Sequence, residues 1–340
     1  MKIKISEARE LVSAVLKKHG FSGEEISACV DNAMEGELTG KVAHGLVRIV
    51  WLVKKAVEGR ISFGEEEISI VKETATSLLI DGKNKTGLYV VSKALDMAFE
   101  KIKEAGVLIV GMTNTAPTTG LVGYFARKSA EQDLIFIGFN NSPSRTSGIV
   151  PYGSLKRIFG TNPITIGIPT NNIPIVLDMA SSKTTVGDVL VAHKEGKRLP
   201  EGIIMGPDGE ETTDPSKALA ESFLGGILPI AEHKGSGLAF IVEILGGALT
   251  NSRCGHDVEG GWGSLFILID PGIIRPVGEF KKDIDSLINE IKTAPRRVDF
   301  DEVYYPGEKS QKQKIKNIKK GEIDINDKLY DDLVALLNEK

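Results

Sequence analysis

From about residue 66 the chain alternates helix-period segments with short, β-branched apolar runs, and that alternation specifies an α/β body. "EISIVKE" and "TSLLIDGKN" read as strands meeting at a turn, "YVVSKALDMAFEKIKEAG" as a helix and "VLIVGMTN" as a buried strand. The cycle repeats in "GYFARKSAEQ" and "LIFIGFNN". Further strands are expected at "NPITIGIPT", "PIVLDMA" and "SLFILIDP", and a helix at "GSGLAFIVEILGGAL". The N-terminal part is helical instead: residues 6 to 19, 23 to 38 and 45 to 58 carry helical spacing, with Ser6 and Ser22 as expected caps and Gly59 as a stop. The 37 glycines fall mostly between these elements, and no internal repeat signals a solenoid.

The bulk properties exclude several function classes. At 340 residues, 41% hydrophobic and 26% charged, the chain is long enough for a large core and two domains. A formal net charge of -4 gives no long-range attraction for nucleic acid or anionic membranes. No segment approaches the roughly 20 apolar residues of a membrane span, and the start lacks a signal peptide's apolar region, so a cytoplasmic address is expected. Cys29 and Cys254 lie far apart without a CxxC spacing and read as small buried hydrophobes. His19, His44, His193, His233 and His256 form no HxH, HExxH or HxxxH arrangement, so no dedicated metal site is expected. The lysine-rich "EKSQKQKIKNIKKGE" lacks interleaved aromatics and reads as a solvated helix face.

Nucleotide signatures of the common kinds are missing: there is no GxGxxG between strand and helix, and no GxxxxGK[ST]. "HKGSG", His233 to Gly237, is nevertheless suggestive, because a lysine and two glycines before an apolar helix could offer backbone N–H groups and a positive dipole end to a phosphate. A glycine-lined helix entry with a solvated lysine accounts for it equally. "GKVAHGLVRI" places His44 and Arg48 four residues apart, on one face if the segment is helical, with Trp51 a turn further on. Such a pair is common on helix surfaces. It also suits a small anionic substrate, since a guanidinium holds a carboxylate in a bidentate fork while an imidazole gives a proton to a carbonyl oxygen.

Several motifs, in order along the chain, resemble those of the malate/L-lactate dehydrogenase family that does not use a Rossmann domain. "AHGLVR" is similar to that family's "SHGxxR"; "LLIDGKNKTG", "FGTNPI", "IVLDMASS", "LPEG", "DGEETTDP", "LPIAEHKGSGLAFIVEIL" and "YYPGE" add to the resemblance, which runs from about residue 40 to 310. It implies an NAD(P)-dependent oxidoreductase that interconverts small 2-oxo and 2-hydroxy acids, in a homodimer with neither nucleic acid nor membrane as partner. The implied fold is a non-Rossmann α/β cofactor-binding domain, about 71–274, with a mainly helical domain built from 1–70 and about 275–340. By position, His44 resembles the proton donor and Arg48 the carboxylate clamp. Asn141, Asp178, Met179, Ala180, Lys234, Gly235, Pro306, Gly307 and Glu308 resemble cofactor contacts.

Two departures bear on the chemistry. Ala43 stands where the family usually has a serine, and "NTAPTTGLVGY" places Thr118 and Thr119 where many relatives carry a second histidine. A threonine can orient substrate but is no base near neutral pH. Thr118 is therefore assigned to substrate binding. "LKRIFGTNPI", "GDVLVAHKEGKRLPEG" and "HKGSGL" look closest to cyclic imino acid reductases, where Asp188 replaces a more usual lysine, whereas "DEVYYPGEKSQKQKIKNIKKGEIDI" looks closer to ureidoglycolate dehydrogenase. A cofactor-binding homologue without turnover is the rival from another class.

Overall fold

The computed structural model describes residues 1–63, 67–142, 148–255 and 262–339. Strand β1 (Lys2–Lys4) leads into helices α1 (Ile5–Lys18), α2 (Gly23–Leu38) and α3 (Val47–Val57). Strands β2 (Ser69–Thr74) and β3 (Ser77–Asp81), helix α4 (Gly87–Ala105), strand β4 (Val107–Thr115), helix α5 (Val122–Ala130) and strands β5 (Ile135–Asn140), β6 (Ile164–Ile168) and β7 (Ile175–Met179) follow. Helix α6 (Val186–Lys194), strands β8 (Ile204–Met205) and β9 (Glu211–Thr212), helix α7 (Pro215–Ala218) and strand β10 (Gly226–Ile227) form a small lobe. Helix α8 (His233–Val242) continues as a π-helical turn, Glu243–Ala248, before strand β11 (Trp262–Ile269). Helices α9 (Val277–Thr293) and α10 (Glu308–Lys320), strand β12 (Glu322–Asp324) and helix α11 (Asp327–Asn338) complete the chain.

Seven strands form one mixed sheet in the order β2-β3-β4-β11-β5-β6-β7. Only β3 and β4 run parallel. The late strand β11 threads between β4 and β5, so Phe266 stands opposite Val110 on one side and Gly138 on the other. Period-two alternation turns Leu78, Ile80, Val110, Phe136 and Phe266 to the face covered by α4 and α5, where they bury with Phe125. The π-helical turn lies on the opposite face, close enough that a Cβ on Gly263 would stand 1.9 Å from the Gly246 carbonyl oxygen.

A second apolar cluster joins the two ends of the chain. Val12, Leu16, Met34, Ile49 and Leu52 of the first three helices pack with Ile323 and Leu333, and β1 pairs antiparallel with β12. Ser22 caps α2 with a full capping box to Glu25, as its spacing predicts. Ser6 does not cap α1, because the helix begins one residue earlier and its N-cap is Lys4, with no side-chain bond. Cys29 is buried as expected, while Cys254 is half-buried and its thiol meets the Glu243 carbonyl at 3.1 Å. No described helix is long and apolar enough to cross a membrane.

Candidate active site

The site forms where α2 hands over to α3. Gly40 (φ +76°) ends α2 in the left-handed conformation; its N–H bonds the Glu37 carbonyl at 3.1 Å and the Lys41 N–H bonds the Gly36 carbonyl at 2.8 Å, the reciprocal pair of a Schellman motif. One 3₁₀ turn, Val42–His44, then closes through His44 N–H to Lys41 O at 2.8 Å, and Gly45 breaks the helical path before α3 starts at Val47. His44 and Arg48 therefore do not share one continuous helix, as their spacing predicts. They are neighbours because the chain turns sharply, and the closeness of their charges is one cause of the low His44 pKa.

Arg48 is half-buried, and burial lowers its pKa. Its Nε donates to the Ala43 carbonyl at 2.8 Å, and among the described residues no carboxylate pairs with its guanidinium. The two terminal nitrogens keep the fork that fits a carboxylate. His44 is held down to about 4, first by burial and then by the Arg48 charge; Lys41 pushes the same way, while Asp178 and Asp188 oppose it. The imidazole is thus neutral at pH 7 before any ligand arrives.

Asp178, at the end of β7, is fixed by two donors: Thr165 Oγ1 reaches Oδ1 at 2.9 Å and the Gly123 N–H reaches Oδ2 at 2.9 Å. A Cβ on Gly123 would sit 2.8 Å from that oxygen, so glycine in the first turn of α5 is what lets the carboxylate approach. Lys41 Nζ lies 3.8 Å from the same oxygen. Each Asp178 oxygen thus accepts one internal hydrogen bond, and the carboxylate charge acts on His44 and pairs with Lys41. Met179 and Ala180 follow half-buried at the strand end.

The other residues expected at the site have internal partners of their own or lie exposed. Asn141 is fully buried, with its amide donating to Arg253 O at 3.1 Å and Glu243 Oε2 at 3.4 Å and accepting from Gly263 N at 2.9 Å. The side chain thereby fastens β5 to β11 and to Glu243, a buried acid whose pKa burial raises. Lys234 and Gly235 lie inside α8 rather than before it. The N–H groups of Lys234, Gly235 and Ser236 already bond the carbonyls of Ala231, Ile230 and Glu232. Backbone donation to a phosphate is therefore not on offer at those three residues, and the exposed Lys234 ammonium is the group that remains. Pro306 and Gly307 seal the edge of β7, with Val176 N–H on Pro306 O at 3.0 Å. Glu308 is buried in ion pairs with Lys292 and Lys312, both at 2.9 Å. Thr118 is buried and its hydroxyl accepts from Gly120 N at 3.1 Å. His256 lies outside the described residues.

Sequence reasoning passed over Glu37. This buried carboxyl accepts the Leu46 N–H at 2.7 Å just before α3, and burial raises its pKa to about 7. The folded protein keeps that proton up to about pH 7, whereas the unfolded chain releases it near the ordinary value of 4.5. Its contribution to stability is complete below the unfolded value and is lost as pH rises through the folded one. Glu37→Gln retains an acceptor for Leu46 without the ionisation. We expect it to raise stability by about 3 kcal/mol at pH 8 and to change little at pH 4. Chemical denaturation at the two pH values checks this, and equal shifts at both would remove Glu37 as the titrating group.

Residues 3–334 match the sequence profile of the malate/L-lactate dehydrogenases. The chain belongs to the malate/L-lactate dehydrogenase family. It is accordingly an oxidoreductase. It is 33% identical over 347 residues to the malate/(S)-sulfolactate dehydrogenase of Methanothermus fervidus, covering 100% of this chain and 98% of the relative. A Δ1-pyrroline-2-carboxylate/Δ1-piperideine-2-carboxylate reductase of Pseudomonas putida is 30% identical over 80% of each chain. The structure of the sulfolactate dehydrogenase of Methanocaldococcus jannaschii superposes with a TM-score of 0.88 at 33% identity, over 99% of this chain and 97% of that one. This member of the family thus shares a mixed α/β sheet fold with a solved relative.

Proposed function

We propose that the chain is an NAD(P)-dependent oxidoreductase exchanging hydride between a nicotinamide cofactor and C2 of a small 2-oxo or 2-hydroxy acid. The observation that carries this reading is Arg48, a half-buried guanidinium without an acidic partner among the described residues, beside a neutral imidazole. Arg48 holds the substrate carboxylate and so fixes the carbonyl relative to His44. A bound carboxylate cancels the Arg48 charge, one of the causes that keep the His44 pKa low. Imidazolium then becomes accessible, and its proton passes to the carbonyl oxygen. In the oxidising direction the neutral ring accepts the hydroxyl proton.

Lys234, whose exposed ammonium lacks an acidic partner among the described residues, would meet a phosphate of the cofactor. The cofactor would supply only the hydride. The test is loss of reduced-nicotinamide absorbance from NADH and from NADPH with pyruvate, oxaloacetate, 2-oxoglutarate, sulfopyruvate and the two cyclic imino carboxylates. No turnover on any of them, with cofactor bound, would overturn the reading. A second reading, cyclic imino acid reduction, is favoured by Asp188: Thr184 and Thr185 donate to its Oδ2 and its charge reaches His44. Preference for the two imino substrates in the same panel would decide for it.

A homodimer belongs to the same proposal. The described surface of α8 and its π-helical extension exposes Leu238, Ile241, Ile244 and Leu249, and apolar side chains grouped on one element suit a contact between subunits. We expect sedimentation equilibrium to give a dimer that Ile241→Glu dissociates; a monomeric parent protein would end this part of the reading.

A further inference from the structure

We propose that Lys41 is a specificity-determining residue that takes a second anionic group of the substrate, so that the site prefers 2-oxo and 2-hydroxy acids bearing a further carboxylate or sulfonate. The inference rests on Arg48 as the clamp for the first carboxylate. Lys41 is tied to the reacting group through the backbone, because its carbonyl accepts the His44 N–H at 2.8 Å and its own N–H is pinned to Gly36 O at 2.8 Å. Its side chain therefore starts from a rigid root one 3₁₀ turn from the imidazole.

The ammonium is only loosely engaged. Its ion pair with Asp178 Oδ2 is 3.8 Å long, while that oxygen already accepts the Gly123 N–H at 2.9 Å and its twin accepts Thr165 Oγ1 at 2.9 Å. Asp178 does not depend on Lys41 to stay bonded, so Lys41 can turn to a ligand at small cost. The side chain is 37% exposed against 12% for Asp178, which places the cation on the open side of the pair. Lys41 and Arg48 are also the two cations whose charges bear on His44, against Asp178 and Asp188. A monoanion bound at Arg48 leaves Lys41 with its long ion pair alone. A dianion satisfies both cations, which flank in sequence the turn that carries His44.

The test uses the full chain and its variants Lys41→Gln and Lys41→Arg. Binding of malate and of monoanionic 2-hydroxybutyrate is measured calorimetrically in the presence of NADH or NADPH, with which neither can react, and steady-state reduction is followed with oxaloacetate, sulfopyruvate and 2-oxobutyrate. We expect Lys41→Gln to weaken malate at least tenfold more than 2-hydroxybutyrate. The kcat/KM ratio of oxaloacetate to 2-oxobutyrate should fall by a similar factor, mostly through KM, with part of it recovered in Lys41→Arg. Sulfopyruvate behaving like oxaloacetate would assign the subsite to any second anion; a loss confined to one of them would assign it to that group. A parent protein that binds malate no better than 2-hydroxybutyrate, or a Lys41→Gln variant with unchanged ratios, would overturn the proposal. Absence of turnover on every substrate, with the malate preference and its loss in Lys41→Gln intact, would overturn the reductase reading and leave Lys41 standing.

Discussion

An alanine at position 44 is expected to lower turnover of the 2-oxo acid by about 10²- to 10⁴-fold, the range associated with losing a positioned acid/base group. KM should move little, because the proposed function gives His44 the proton and Arg48 the carboxylate. Arg48→Ala should do the reverse: losing a charge-assisted hydrogen bond of about 1.5–3 kcal/mol raises KM by roughly ten- to a hundredfold. The pH profiles separate the two roles further. His44 is neutral above about pH 4 in the ligand-free protein, through burial first and the Arg48 charge second. Substrate carboxylate removes the second cause, so kcat for reduction should persist to higher pH than kcat/KM does. Steady-state kinetics of the two variants across pH measures all of this. A His44→Ala protein with parental turnover, or coincident profiles, would displace His44 from the proton-transfer role.

How much of this was legible in the sequence depends on the length over which a pattern repeats. β3, β4, α4 and β5 repeat their period over several residues, and "TSLLIDGKN", "VLIVGMTN", "YVVSKALDMAFEKIKEAG" and "LIFIGFNN" locate them within a few positions. The insertion of β11 between β4 and β5 is a pairing between residues more than 120 positions apart, and no local period carries it. At the candidate site, the four-residue spacing of His44 and Arg48 predicted a shared helix face, whereas the structure uses a 3₁₀ turn and a glycine break. The turn was readable after all, since Gly40 directly follows a long helical run and glycine at that position ends helices. The internal partners of Asn141 and Glu308 were not legible in the sequence, because nothing local says that the amide meets Glu243, Arg253 and Gly263, or that the carboxylate pairs with Lys292 and Lys312.

Gly36→Ala should cost more in activity than in stability. A Cβ there would lie 2.7 Å from both the carbonyl carbon and oxygen of His44 and 2.8 Å from the Gly45 Cα. These are backbone atoms, so no rotamer change relieves the clash; either the turn lifts from α2 or α2 bends. The same residue also accepts the Lys41 N–H at 2.8 Å, so lifting the turn stretches the bond that roots it. Overpacking of this kind costs about 1–3 kcal/mol, and exchanging glycine for alanine inside a helix returns up to about 1 kcal/mol of it. The net loss of stability should therefore be about 1–2 kcal/mol, which leaves a chain of this size folded. Displacing His44 and Arg48 by about 1 Å, however, should lower kcat/KM by about a hundredfold. Gly23→Ala, at the start of the same helix with nothing within 4 Å of its Cβ, provides the control and should keep parental activity. Denaturation curves and kinetics on both variants decide the matter: a Gly36→Ala protein as active as Gly23→Ala would mean that the close approach of α2 does not set the position of the catalytic turn.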